Sequence, residues 1–425
     1  MNYKLHTLDS GLRALTVPMT SLESVTTTVW VKTGSRFEDK RINGISHFLE
    51  HMVFKGSGKR PSAKAISEVI DSIGGEFNAG TSKDWTSFYI KSRVGNLDTA
   101  MDVLSDMVFN PLLKSNEIER EKGTIIQEIA MYEDTPMIHI GDVFEELIFN
   151  GNPLGWEVAG TPKSVKEIRR QDFLDYRSAQ YYPGNMIISV SGGIDETKAL
   201  NMVKEYFGGF DKASSKPLSS PEFRVDQAMP MVKVNNKKSD QAHLILGFLG
   251  DNRDYKGRFA QSVLSTILSG PMSSRLFIEI RERRGLAYSI RPASERFSDT
   301  GYFGVYAGVD IKKADEAVKV ILDQLYGLSD GKYPVSAKEL TKTKEFLKGH
   351  MALGLEDTQA VGDFFATQAL FLKEILTPEE IYKKIDAVTI DDVIYEAKRL
   401  FNPNRLNLAV IGPFTKKEKF VQLLA

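Results

Sequence analysis

The sequence predicts an α+β protein of two homologous domains, each a mostly antiparallel sheet covered by helices. Three observations predict it. Strand patterns alternate with amphipathic helix patterns, and several strands are joined as hairpins, which favours antiparallel sheets with helices laid on them. The order of elements in the first half recurs in the second, about 220 residues further on. Between the halves runs GGFDKASSKPLSSPEF, rich in Gly, Ser, Pro and Lys, which has the composition of a linker. A chain of 425 residues exceeds one ordinary core. The division expected is 1–210, a linker over 211–223, and 224–425.

Residues 3–18 read as a hairpin around Asp9-Ser10-Gly11, where Gly takes the turn. Ser24 to Thr33 is β-branched and reads as a strand; a charged loop follows, and a helix begins near Gly44. Ser62 is a suitable N-cap for a helix over Ala63 to Ile73, stopped by Gly74-Gly75. Glu76 to Ala79 and Thr86 to Arg93 read as paired strands. Helices are expected over Leu97 to Val108, Asn116 to Tyr132 and Asp142 to Phe149. Beyond a loop, helices near Val165 and over Gln171 to Tyr181 lead to an apolar strand at Met186 to Val190 and a helix over Glu196 to Tyr206.

In the second half, His243 to Leu249 matches Thr26 to Lys32, and the helix Arg258 to Ser269 matches the one from Gly44. Tyr302 to Gly308 with Ala314 to Leu325 matches Ser87 to Arg93 with Leu97 to Met107. Lys338 to His350 matches Asn116 to Glu128, and both are followed by Glu-Asp-Thr. Such a repeat argues for two domains of like fold.

Composition narrows the function. A net charge of −1 argues against a general nucleic-acid or anionic-membrane binder. With no cysteine there is neither a disulfide nor a thiolate ligand. No run of about 18 apolar residues predicts a membrane span. The N-terminal stretch lacks the basic start and apolar core of a secretory signal, so a cytoplasmic location is expected.

The chemistry is concentrated in Gly44 to Gly58, GISHFLEHMVFKGSG. His47 and His51 are four apart, so on a helix both imidazoles reach one ion. Glu50 points at the same volume without being a ligand. Two neutral imidazoles beside a carboxylate suit a catalytic zinc with an open coordination position. The run is H-x-x-E-H, the inverse of the H-E-x-x-H zinc motif. A third ligand is expected on another element. Glu128 is the candidate, on a helix face shared with Glu121 seven residues earlier. On spacing alone Glu121 is equally a solvated helix residue. The matching helix of the second half, QSVLSTILS, lacks the motif, so the metal site belongs to one half.

With HxxEH followed at this distance by Ile126-Gln127-Glu128, the chain resembles the inverzincin peptidases of the pitrilysin and insulin-degrading-enzyme type. It is most similar to the short two-domain branch that includes mitochondrial processing peptidase and its bacterial relatives. The resemblance spans nearly the whole chain. It implies one Zn2+ per chain held by His47, His51 and Glu128, with Glu50 as the general base toward the zinc-bound water and Glu121 orienting a ligand. Arg281 and Tyr288, seven apart as in that family, are implied to bind substrate and stabilise the oxyanion. Asn78, Ala79, Gly80 and Thr81 match the edge strand to which a peptide substrate adds. Many relatives carry an aromatic where this chain has Gly80. The resemblance further implies a homodimer that closes a chamber around short or unfolded peptides. Two other readings are a non-catalytic scaffold, as in respiratory complexes, and a processing peptidase that needs a different partner subunit. The intact motif disfavours the scaffold.

Overall fold

The computed structural model describes residues 1–210, 218–225 and 227–424. Of the linker expected over 211–223, residues 211–217 lie outside the described residues, and 218–223 form neither helix nor strand. The first half contains strands β1 (Lys4–Thr7), β2 (Arg13–Pro18), β3 (Ser24–Val31), β4 (Glu76–Thr81), β5 (Thr86–Arg93) and β6 (Met186–Gly192). Its helices are α1 (Ile45–Val53), α2 (Ala63–Ser72), α3 (Leu97–Phe109), α4 (Ser115–Glu133), α5 (Pro136–Ile148), α6 (Pro162–Glu167), α7 (Arg170–Gln180) and α8 (Glu196–Phe207). In the second half are β7 (Met231–Asn236), β8 (Gln241–Gly250), β9 (Ala287–Pro292), β10 (Glu295–Arg296), β11 (Gly301–Asp310) and β12 (Leu406–Gly412). Its helices are α9 (Arg258–Ser269), α10 (Ala314–Ser329), α11 (Ala337–Gly354), α12 (Thr358–Phe371), α13 (Pro378–Asp386), α14 (Ile390–Leu400) and α15 (Glu418–Leu424).

The chain forms two compact units, each an α+β assembly. The first comprises Met1–Ala130, Trp156–Pro221 and Leu353–Thr377; the second comprises Met131–Gly155, Glu222–Ala352 and Pro378–Ala425. In the first, the strand order is β1-β2-β6-β3-β5-β4, parallel only between β2 and β6. In the second it is β10-β11-β8-β12-β7, with β9 also against β11, and parallel only between β7 and β12. The arrangement β2-β6-β3-β5 thus recurs as β7-β12-β8-β11, down to the parallel pair. This is the structural form of the sequence repeat.

Strand β3 runs through the middle of its sheet and is buried on both faces. Val25, Val29 and Val31 enter a core with Phe48, Met52, Phe88 and Leu104. Thr26 points the other way, its hydroxyl 2.8 Å from that of Thr358 on α12. Helix α12 covers this second face, over β2, β3 and β6. Ser191 Oγ donates to Thr358 O (2.6 Å) and Arg13 Nη1 to Ala369 O (2.7 Å).

Helix α5 makes the reciprocal contact on the second sheet, over β7, β8 and β12. Its Phe144 and Ile148 form a core with Ile245, Ala409 and Ile411. Gly247 on β8 permits this approach, since a Cβ there would stand 2.8 Å from Phe144 Cζ. Helices α5 and α12 therefore each lie in the unit built mainly from the other half of the sequence. Helix α5 also begins six residues earlier than the helix expected over Asp142 to Phe149. Pro136 occupies its first turn, where its fixed φ and missing N–H cost nothing, and Gly141 interrupts the apolar period that would announce it.

Candidate metal centre

The site starts from the placement of α1. Gly44, its N-cap, has φ 98°, and a Cβ would stand 2.5 Å from Ala159 O, so no other residue fits without strain. The exposed N–H groups of the first turn are met by Glu38, which is buried. Its Oε2 accepts from Gly44 N (2.7 Å) and Asn43 Nδ2 (3.0 Å), and its Oε1 from Ser46 N (2.8 Å). Burial raises the Glu38 pKa, and these hydrogen bonds only partly offset it. The hydroxyls of Ser46 and Tyr176 lie 2.7 Å apart, and those of Tyr176 and Thr33 2.8 Å apart. Ile45, Phe48, Leu49, Met52 and Val53 turn into the core, leaving His47, Glu50 and His51 on the opposite, half-buried stripe.

Helix α4 brings the third group. Ile118, Ile125 and Ile129 bury its inner face, and Glu121 takes a core-facing position on it. Nε2 of His47 and Nε2 of His51 are 3.3 Å apart. Glu128 places Oε1 3.6 Å from Nε2 of His47 and Oε2 3.4 Å from Nε2 of His51. Ligand atoms of His47, His51 and Glu128 all lie within 4.8 Å of one another, and they are the only group of this kind among the described residues. A tetrahedral ion with bonds of about 2.0–2.1 Å separates its ligands by about 3.3–3.4 Å. The three spacings fit one such ion, and the donor set suits zinc.

Supporting contacts fix these groups. Nδ1 of His51 donates to Oε1 of Glu121 (2.9 Å), which turns the Nε2 lone pair of the neutral ring toward His47 and Glu128. Lys55 Nζ lies 2.7 Å from the other oxygen of Glu121. Burial disfavours a charged His51, but the carboxylates of Glu121 and Glu128 outweigh it and lift the pKa to about 9. Burial pushes Glu121 up while His51 and Lys55 pull it down, and the net result is a lowered pKa. Glu50 accepts a hydrogen bond from Thr81 Oγ1 at 2.5 Å.

Of the other residues singled out in the sequence, Asn78, Ala79, Gly80 and Thr81 lie on β4, which pairs with β5 on one side and forms the sheet edge on the other. The ring of Trp85, in the turn between β4 and β5, lies 3.5 Å from where a Gly80 Cβ would stand, so an aromatic reaches this position from the adjoining turn. Arg281 and Tyr288 belong to the second unit. The Arg281 guanidinium lies 5.3 Å from the Tyr288 ring centroid and 5.0 Å from that of Phe277, and Tyr288 is 73% exposed. Glu38, Lys55 and the Thr81 hydroxyl carry no motif. Only the spacing of Lys55, one helical turn beyond His51, hints at its place.

Two family models match the chain: insulinase (peptidase family M16) over residues 14–162, and the peptidase M16 inactive domain over 167–347. An uncharacterized zinc protease of Streptomyces coelicolor is 36% identical over 97% of this chain and 90% of its own length. The uncharacterized zinc protease YmxG of Bacillus subtilis is 35% identical over 96% and 98%. Among solved structures, a protease from Helicobacter pylori superposes with a TM-score of 0.91 at 23% identity, over 97% of this chain and 100% of that one. A chain of complex III2 from Candida albicans reaches 0.83 at 19%, over 99% of each. At these identities the two structures speak for the fold alone.

Proposed function

We propose, for a chain that belongs to the insulinase family of peptidases (peptidase family M16) and is a metallopeptidase, that it is a zinc endopeptidase acting on short or unfolded peptides. The observation that carries this reading is the convergence of His47, His51 and Glu128, with Glu50 on the same half-buried stripe of α1 and its carboxylate held by Thr81. These three residues hold one zinc per chain. Zinc bound there supplies Lewis-acid polarisation of water and of the scissile carbonyl. Glu50 takes the proton of the attacking water and delivers it to the leaving amine. Glu121 holds the His51 ring through Nδ1. The peptide adds as a strand along the sheet edge formed by β4 at Asn78, Ala79, Gly80 and Thr81, displacing the Asn78 side chain that now accepts from Ala79 N. Arg281 binds carbonyl or carboxylate groups of the peptide, and the Tyr288 hydroxyl donates to the oxyanion.

No described helix is long and apolar enough to cross a membrane. The working form is a cytoplasmic homodimer, two copies closing a chamber that admits peptides and not folded proteins. The test is metal content and cleavage of a quenched peptide by the purified chain, beside Glu50→Gln. The variant keeps about one zinc per chain and loses hydrolysis. A wild-type chain without metal, or with metal but no cleavage that Glu50→Gln abolishes, returns the protein to the scaffold or partner-dependent readings.

A further inference from the structure

We propose that Thr81 is a positioning residue for Glu50, holding the base from the same strand on which the peptide docks. The inference rests on the function proposed above and adds a role for a side chain whose backbone alone was assigned to substrate.

The geometry comes from two elements that meet twice. Glu50 and Phe54 are one turn apart on the side of α1 that faces β4. Phe77 and Thr81 lie on one face of β4, because alternate strand residues share a face. The Phe54 and Phe77 rings are 5.6 Å apart, and Thr81 Oγ1 is 2.5 Å from Glu50 Oε2. The end of β4 is itself held. Thr81 pairs with Thr86 of β5, whose hydroxyl donates to Thr33 O at 3.0 Å in the interior. The hydroxyl that reaches Glu50 therefore comes from a fixed strand end.

Chemistry gives the contact its consequence. A half-buried glutamate has three side-chain torsions and two equivalent oxygens. A charge-assisted O–H···O⁻ bond fixes one oxygen and leaves Oε1 as the acceptor for a proton. Threonine suits this because its β-branch restricts χ1, so the hydroxyl direction is set by the strand. A peptide pairing along β4 takes its register from the strand that also sets the base. Docking and base position are then one geometric event, which is the kind of arrangement that lowers a barrier by orientation.

The test compares Thr81→Val and Thr81→Ser with wild type and Glu50→Gln, using zinc-loaded full-length chain. Two quantities are read: steady-state kinetics on a quenched peptide, and the 13C resonance of the Glu50 side-chain carboxyl, assigned by its loss in Glu50→Gln. Thr81→Val, nearly isosteric, is expected to shift the resonance and lower kcat about tenfold to a hundredfold, the range carried by a hydrogen bond to a charged group. KM and zinc content stay near wild type, and Thr81→Ser returns both kcat and the resonance most of the way. An unmoved resonance overturns the contact. A moved resonance with unchanged kcat, or a loss confined to KM, overturns the positioning role. If Glu50→Gln cleaves as wild type does, the base assignment itself has failed, and the resonance still reports whether Thr81 holds that carboxylate.

Discussion

A proton and a divalent ion compete for Nε2 of His51. Without metal, burial is outweighed by Glu121 and Glu128, and the imidazole titrates at about 9. Because this exceeds the unfolded value of about 6.5, the charged ring stabilises the metal-free fold fully below about 6.5, and that contribution is lost as pH rises through 9. Zinc must displace the proton, so apparent affinity is expected to climb about tenfold per pH unit up to about 9 and then level off. Competition with a chelator across pH 6 to 10 checks this, and Glu121→Gln should bring the plateau to lower pH. A flat profile in the wild type would mean that the carboxylates do not hold the proton. At this scale the sequence was readable where one helix carries the pattern. That His47, Glu50 and His51 share a stripe follows from the helical period, whereas Glu128 is singled out from Glu121 on the same face by its distance from His51 and the family resemblance. Glu38 caps α1 from the preceding loop with three hydrogen bonds, and Thr81 reaches Glu50 from another element with one, and contacts of that kind leave no period to read.

One helix carries an unfavourable charge. Oδ1 of Asp363 on α12 is buried without a hydrogen-bond partner among the described residues. Burial pushes its pKa up to about 6, the charge of Asp357 adds to this, and Gln359 pulls the other way. Between about 4 and 6 the folded chain thus binds more protons than the unfolded chain, so stability falls as pH rises through that window. Asp363→Asn is expected to stabilise the full chain by about 1–3 kcal/mol at pH 8, since a shift of about two units is worth that order, and to change little at pH 3.5. Denaturant unfolding at the two pH values decides it, and an equal effect at both would refute the electrostatic cause. The element pattern of the first half was readable because strands and helices there alternate with clear turn chemistry. The start of α5 was not, because Gly141 breaks its period. Nor was the sheet that α5 covers, since an apolar stripe says that a helix packs but not against what.

Neither half of the sequence contains all of a compact unit. A fragment of residues 1–210 lacks α12, so Leu15, Val17 and the hydroxyls of Thr26 and Ser191 lose their cover, while α5 has no sheet on which to lie. Such a fragment is expected to be cleaved by protease far faster than the full chain and to bind a hydrophobic dye. Appending residues 353–377 should reduce the cleavage, and a fragment as resistant as the whole protein would contradict the exchange of helices. The same exchange sets a timetable on the ribosome. The sheet containing β6 is complete in sequence long before α12 is made, a gap of roughly 10 to 35 s at about 5 to 20 residues per second. During that interval the uncovered face presents threonine and serine hydroxyls among its apolar side chains, and water can serve them. The apolar partner in the reciprocal contact is α5, a short helix and not a broad surface. The nascent chain thus waits with a face of mixed polarity and the apolar stripe of α5 uncovered until the last helices emerge.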